Sequence, residues 1–239
     1  MQISPDHILL WQGPGFALNA TLAFTWLNIL LLATGAAVIT GRLTTSGNLS
    51  KGQNLLETLV TQVCGELEAL GLTPAKEFLP FIGTLFLFVL TANLLSVVPG
   101  YQAPTGSLST TTALALCVLV AVPWWGIKRQ GVRNYLRLYL EPTPLMLPFN
   151  IFGELARTLA LAVRLFGNIM SGTMIGAILL TVAPLMFPVI MNLLGLIIGV
   201  IQAYIFAILA AVYIAAAVQT REGEERGTRD EGRGVRSEE

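Results

Sequence analysis

Charge is what this sequence has least of. Only 12% of its 239 residues are Asp, Glu, Lys or Arg, about half the share in an ordinary soluble domain, while 54% are hydrophobic. That balance excludes a water-soluble globular domain and points to a membrane protein. The fourteen basic and fourteen acidic residues cancel, and most lie in loops or after Gln219. No basic surface remains for nucleic acid, so that partner class is excluded. The single histidine, His7, stands in the polar N-terminal stretch and reads as a surface residue, so a histidine-based metal centre or catalytic dyad has no raw material. Cys64 and Cys117 fit no zinc or redox spacing and read as packing residues. A phosphate-binding glycine loop is missing, so no cofactor and no metal are expected. No basic stretch precedes the first apolar run, and no cleaved signal peptide is expected. No internal repeat is visible, which removes one cue for a secondary transporter.

Long apolar runs fill the space left by charge. A helix needs roughly 20 apolar residues to cross a ~30 Å hydrocarbon core. Runs at 16–40, 78–98, 108–127, 148–180 and 187–217 meet that length. The expected fold is an all-α membrane protein of about five membrane-embedded helices, the last two forming a long tilted hairpin with its turn near Ala183 and Pro184. Residues 52–72 differ: Leu55, Leu56, Leu59, Val60, Val63, Leu67 and Leu70 recur at helical spacing opposite Glu57, Gln62, Glu66 and Glu68. That pattern predicts an amphipathic helix on the membrane surface, with a soluble-type packed helix as the alternative. Residues 1–217 thus form one integral membrane domain, and 218–239, rich in charge, Gly and Ser, are expected to be a disordered cytoplasmic tail. Arg42, Lys51 and Lys76 flank the amphipathic segment, and Lys128, Arg129, Arg133 and Arg137 follow the third run, whereas 101–107 carries no charge. The positive-inside rule then puts the N-terminus outside and the C-terminus in the cytoplasm.

One helix face carries the chemistry. Asn150, Glu154, Arg157, Arg164, Asn168 and Ser171 are spaced so that all six share a face of the fourth span. Glu154 is close enough in sequence to neutralise Arg157. Arg164 lies ten residues beyond Glu154, about 15 Å along the axis, with no acid of its own. A guanidinium does not shed its proton in a protein, so its counter-charge must come from elsewhere, and another chain is the favoured source; snorkelling to an interface or bonding to carbonyls and water is the alternative. Gly167, Gly172 and Gly176 beside it permit close helix approach. On the last span Asn192, Gly195, Gly199 and Gln202 share a second face, with Tyr213 farther along. There Gln202 either meets Arg164 across the hairpin or serves as interhelical glue.

Arg164, Leu165, Phe166, Gly167 and Asn168, followed by Gln202, Ala203, Tyr204, Ile205 and Phe206, closely resemble the paired signature of subunit a of the rotary F-type ATP synthases. Asn93, Leu94 and Leu95 before Pro99 fit the same template, as do Glu154 and Arg157 upstream of the arginine. The resemblance covers roughly residues 50–217. It implies a non-catalytic stator in a bacterial plasma membrane, partnered by c-ring subunits, the peripheral-stalk subunit b and the other synthase subunits. In that picture Arg164, with Asn168 and Gln202, separates two aqueous half-channels and couples H⁺ or Na⁺ flow to ring rotation. Asn93, Asn150, Glu154, Arg157, Ser171, Thr173, Asn192 and Tyr213 would line the half-channels. Many relatives hold an acid or a histidine near the positions of Thr173 and Gly195, and the neutral oxygens here tilt the ion choice towards Na⁺. The competing reading is a stand-alone transporter or channel with an intramembrane arginine site.

Overall fold

Uninterrupted apolar sequence with few helix breakers folds as helix wherever it is long enough, because a lipid-embedded backbone must satisfy its own hydrogen bonds. The computed structural model describes residues 9–13, 16–41, 51–98, 101–140, 146–182 and 187–234. His7, Arg42, Pro99, Gly100 and the Ala183–Pro184 turn lie outside that set, and so do the side chains of Lys51 and of residues 219–234. Seven α-helices are described: α1 (Ala20–Thr40), α2 (Lys51–Ala69), α3 (Ala75–Leu95), α4 (Leu108–Gln130), α5 (Val132–Leu140), α6 (Met146–Val182) and α7 (Phe187–Gly234). Five of them, α1, α3, α4, α6 and α7, are long and apolar enough to cross a membrane. The protein is therefore an all-α membrane protein, and its large exposed side chains suit a lipid-facing surface, Trp26, Leu30, Val120, Leu159, Ile178 and Leu193 among them.

Several boundaries differ from the sequence reading. Residues 16–19, expected as the start of the first span, form strand β2 (Phe16–Asn19), paired antiparallel with β1 (Leu9–Gly13). The helix begins only at Ala20, because the hairpin satisfies the preceding backbone across strands. The basic stretch after the third span is no loop: residues 132–140 form α5. The tail expected to be disordered from 218 instead continues α7 as far as Gly234. In sequence, Glu222 and Arg226, and likewise Glu225 and Arg229, stand four apart with the acid first, the spacing that supports an exposed helix.

The end of α2 shows how local chemistry sets the route. Gly71 adopts φ 76, a left-handed conformation that costs glycine little. The Gly71 N–H donates to the Glu68 carbonyl at 2.9 Å and the Leu72 N–H to the Leu67 carbonyl at 2.9 Å, the Schellman arrangement that satisfies orphan carbonyls. Leu67 and Leu72 are both fully buried as a result, which fastens α2 against α3.

The core runs along α7. Ala203, Ala207, Ala210, Ala211 and Ala215 are buried there against Phe78 and Val89 of α3, Ala115 and Val118 of α4, and Leu161 and Leu165 of α6. Small residues let backbones approach, which matters in lipid because apolar tails give helices little drive to associate. Polar latches complete the seam. Asn93 Nδ2 donates to the Gly199 carbonyl at 2.8 Å, and Gln130 Nε2 donates to the Ala217 carbonyl at 2.8 Å. Asn28 Nδ2 on α1 donates to the Phe88 carbonyl at 3.1 Å. At the other end of α3, Glu77 accepts from Lys128 Nζ at 2.6 Å and from Arg129 Nη2 at 2.7 Å, and the same arginine donates to the Thr73 carbonyl.

Candidate functional site: an unpaired arginine at mid-span

Arg164 sits near the middle of its span, seventeen residues after Leu147 and fifteen before Leu179. Gln202 is likewise central between Val189 and Val218. Helix α6 turns Thr158, Leu161, Ala162 and Leu165 inward. At 100° per residue the polar stripe lies about a quarter-turn round from that buried line. Arg157, Arg164 and Ser171 are accordingly exposed on the flank of the bundle, with Glu154 and Asn168 half-buried and Asn150 exposed.

Among the described residues the ion pairs belong to Glu77. Glu154 does not clasp Arg164; its backbone carbonyl accepts the Thr158 hydroxyl at 3.0 Å. Arg157 instead lies over the Tyr213 ring, 5.8 Å from its centroid, a cation–π contact that joins α6 to α7. In an antiparallel hairpin each step forward on α6 is a step back on α7. That contact brings Arg164 level with Phe206 and Asn168 level with Gln202. Four residues, about 6 Å, separate Arg164 from the level of Gln202, within the reach of an extended arginine side chain. Gln202 is buried, and its Nε2 has no partner among the described residues.

The remaining sequence-derived residues divide into covered and open groups. Asn93 is buried and held at both ends of its amide, with the Thr105 hydroxyl 3.4 Å from its Oδ1. Gly199 is the closest approach: a Cβ there would stand 2.9 Å from Asn93 Cβ. At Gly167, Gly172, Gly176 and Gly195 an added Cβ would meet nothing within 4 Å. Asn192 and Thr173 are exposed, and Tyr213 is half-buried. Around Gly167, Gly172, Gly176 and Gly195 the described residues thus leave open space, and Gly167, one turn from Arg164, is the nearest of them to the guanidinium's side of α6.

Sequence reasoning missed the buried turn between α3 and α4. Residues 103–107, including the 3-10 turn Pro104–Gly106, are buried, and a Cβ on Gly106 would lie 3.2 Å from Ile169 Cγ2. Through Asn93 the same turn reaches the level of Gly199. Helices α6 and α7 run on past this level by about ten residues, roughly 15 Å, and Asn192 and Gly195 stay exposed there. Tyr101 packs edge-on against Phe24 at 5.0 Å, and burial pushes its hydroxyl up to about 12, keeping it neutral. The Pro-Thr-Gly turn was the one available signal. Gln130 was missed too, since nothing local distinguishes a latch from a polar helix end.

Together the fold and the site define a multi-span membrane protein that presents a permanent cation, at mid-span, on an exposed flank of its fourth span. The ATP synthase A chain family matches residues 22–215. The chain is 60% identical over 219 residues to ATP synthase subunit a 2 of Acaryochloris marina, covering 92% of this chain and 94% of that protein. It is 59% identical over 221 residues to ATP synthase subunit a of Albidiferax ferrireducens, covering 92% and 96%. It is 56% identical over 231 residues to the subunit a of Nitrosospira multiformis, covering 97% and 92%. The chain belongs to the ATP synthase A chain family, the subunit a of F-type ATP synthases.

Proposed function

We propose that this subunit couples ion flow to rotation in an F-type ATP synthase, with Arg164 as the residue that makes the coupling obligatory. The observation that carries the reading is a guanidinium at mid-span, exposed beside uncovered glycines, with no ion pair among the described residues. A charge at that depth is costly unless something answers it. A ring of neighbouring subunits, each bringing one membrane carboxylate past the open face, supplies a counter-charge that comes and goes. At about 4 Å and an effective dielectric of ~20, one such pair is worth roughly 4 kcal/mol, enough to ionise the carboxylate without locking the ring in place.

The stripe on α6 supports two separate aqueous routes. Beyond Arg164 on the outer side stand Asn168 and Ser171 on the stripe, with Thr173 round the helix from them and Asn192 exposed on α7. On the other side stand Arg157, Glu154 and Asn150, with Tyr213. Arg164 between them repels a cation that tries to pass straight through, so the ion must ride the ring. Helices α3 and α4 carry the polar latches and hold α7 in register rather than conducting. The cluster of Lys128, Arg129, Arg133 and Arg137 at the end of α4 favours a cytoplasmic location for that end in a bacterial plasma membrane, and an odd number of spans then leaves the N-terminus outside. Neutral oxygens along the outer route are compatible with H⁺ or Na⁺. The remaining partners are a c-ring and a peripheral stalk containing subunit b.

The test is Arg164→Ala in the reconstituted synthase. Ion-driven ATP synthesis is expected to fall by at least ~100-fold, a barrier change of roughly 2.7 kcal/mol, while the complex stays assembled. Unchanged coupling in an assembled complex rejects this mechanism. Substrate uptake into liposomes by the purified subunit alone would instead favour a stand-alone transporter.

A further inference from the structure

Helix α5 divides its circumference in a way that ion coupling leaves unused. Tyr135 points inward and presses on α4 so closely that a Cβ on Gly126 would stand 2.5 Å from its ring. Beside it Val132 and Leu136, one turn apart, are 64% and 56% exposed. Next round the helix come Arg133 and Arg137, again one turn apart and exposed. Helix α5 packs between the end of α4 and the start of α6, where Trp124, Phe149 and Phe152 also expose their rings.

An exposed Val–Leu line at the ends of two membrane spans is covered when the helix lies in the interface plane with that line in the acyl boundary. Arg133 is then held at headgroup depth. Its neighbours Lys128 and Arg129 are both engaged by Glu77, and among the described residues no acid pairs with Arg133. A guanidinium fork matches the two free oxygens of a phosphodiester. The geometry points to a binding site on α5 for an anionic phospholipid: Arg133, with Arg137 one turn farther on, takes the headgroup phosphate, and Val132 and Leu136 take the acyl chains. Free phosphate would leave the apolar line uncovered, so the lipid is the occupant. The site is independent of how Arg164 works.

The experiment uses the whole synthase, stripped of lipid and titrated with phosphatidylglycerol or phosphatidylcholine, with bound lipids and subunits counted by native mass spectrometry. Wild type is expected to retain phosphatidylglycerol preferentially. Arg133→Gln is expected to lower that preference about fivefold, the usual effect of one basic residue at an anionic surface, with subunit composition unchanged; Arg133→Glu is expected to lower it further. Equal retention of the two lipids by wild type overturns the proposal. So does an undiminished preference in Arg133→Gln, or displacement of phosphatidylglycerol by inorganic phosphate. A variant that loses a subunit while keeping its lipid count shows that this face docks protein, and also overturns it.

Discussion

Gly199 on α7 and three glycines of α6 differ in what stands against them. On α7, Gly199 exists because Asn93 stands where a side chain would go, and the contact is sealed by a hydrogen bond to the Gly199 carbonyl. On α6, an added Cβ at Gly167, Gly172 or Gly176 would meet nothing within 4 Å, and Arg164 on the same helix has no ion pair among the described residues. In lipid, a close-packed seam needs small residues together with polar latches. Under the proposed function, the open space near Arg164 is where a ring subunit would pass. The amides of Asn93 and Gln130 are spent on α7 backbone carbonyls, whereas the Gln202 amide nitrogen on α7 and the Arg164 guanidinium on α6 form no such bond among the described residues.

Bulk placed on each side is the sharpest way to break this comparison. Gly172→Leu is expected to lower ion-driven ATP synthesis by at least about tenfold, roughly 1.4 kcal/mol on the barrier, while the unfolding midpoint of the isolated subunit in bicelles stays within error of wild type. A large loss of subunit stability there would mean the face is already covered. Gly199→Leu should do the reverse, destabilising the isolated subunit by about 1–3 kcal/mol through overpacking in the same unfolding assay. Asn93→Ala removes the latch but not the helix contact, and a loss of about 0.6–2 kcal/mol is expected; no loss would mean that the amide is free to line a water path instead. The smallest effect is reserved for Glu77→Gln. Its ion pairs with Lys128 and Arg129 are solvent-facing, so thermal stability at high salt should not change measurably.

Much of this was legible before any fold was known, for identifiable reasons. Five membrane spans can be read because hydrophobicity over about 20 residues is a local sum that the bilayer imposes on any chain. The stripe through Arg164 can be read because helical periodicity decides which residues share a face, whatever packs opposite. Helix α5 escaped because its short run of apolar and basic residues resembles a loop until Tyr135 finds Gly126. The extension of α7 to Gly234 escaped because charge-rich composition suggested disorder, whereas the order of its acids and bases favoured helix. The family resemblance put Asn93 among the half-channel residues; in the structure its amide is engaged with Gly199 and Thr105.

By itself, the sequence determined that the chain lives in a membrane, that six polar residues of its fourth span share one face, and that a cation at mid-span lacks an acid on its own helix, because each of these follows from composition and spacing along a single helix. Only the tertiary structure decided which glycines are covered, which amides are spent as latches, and where the buried turn after α3 meets α6. Those depend on contacts between residues as much as 106 positions apart, which no local pattern encodes.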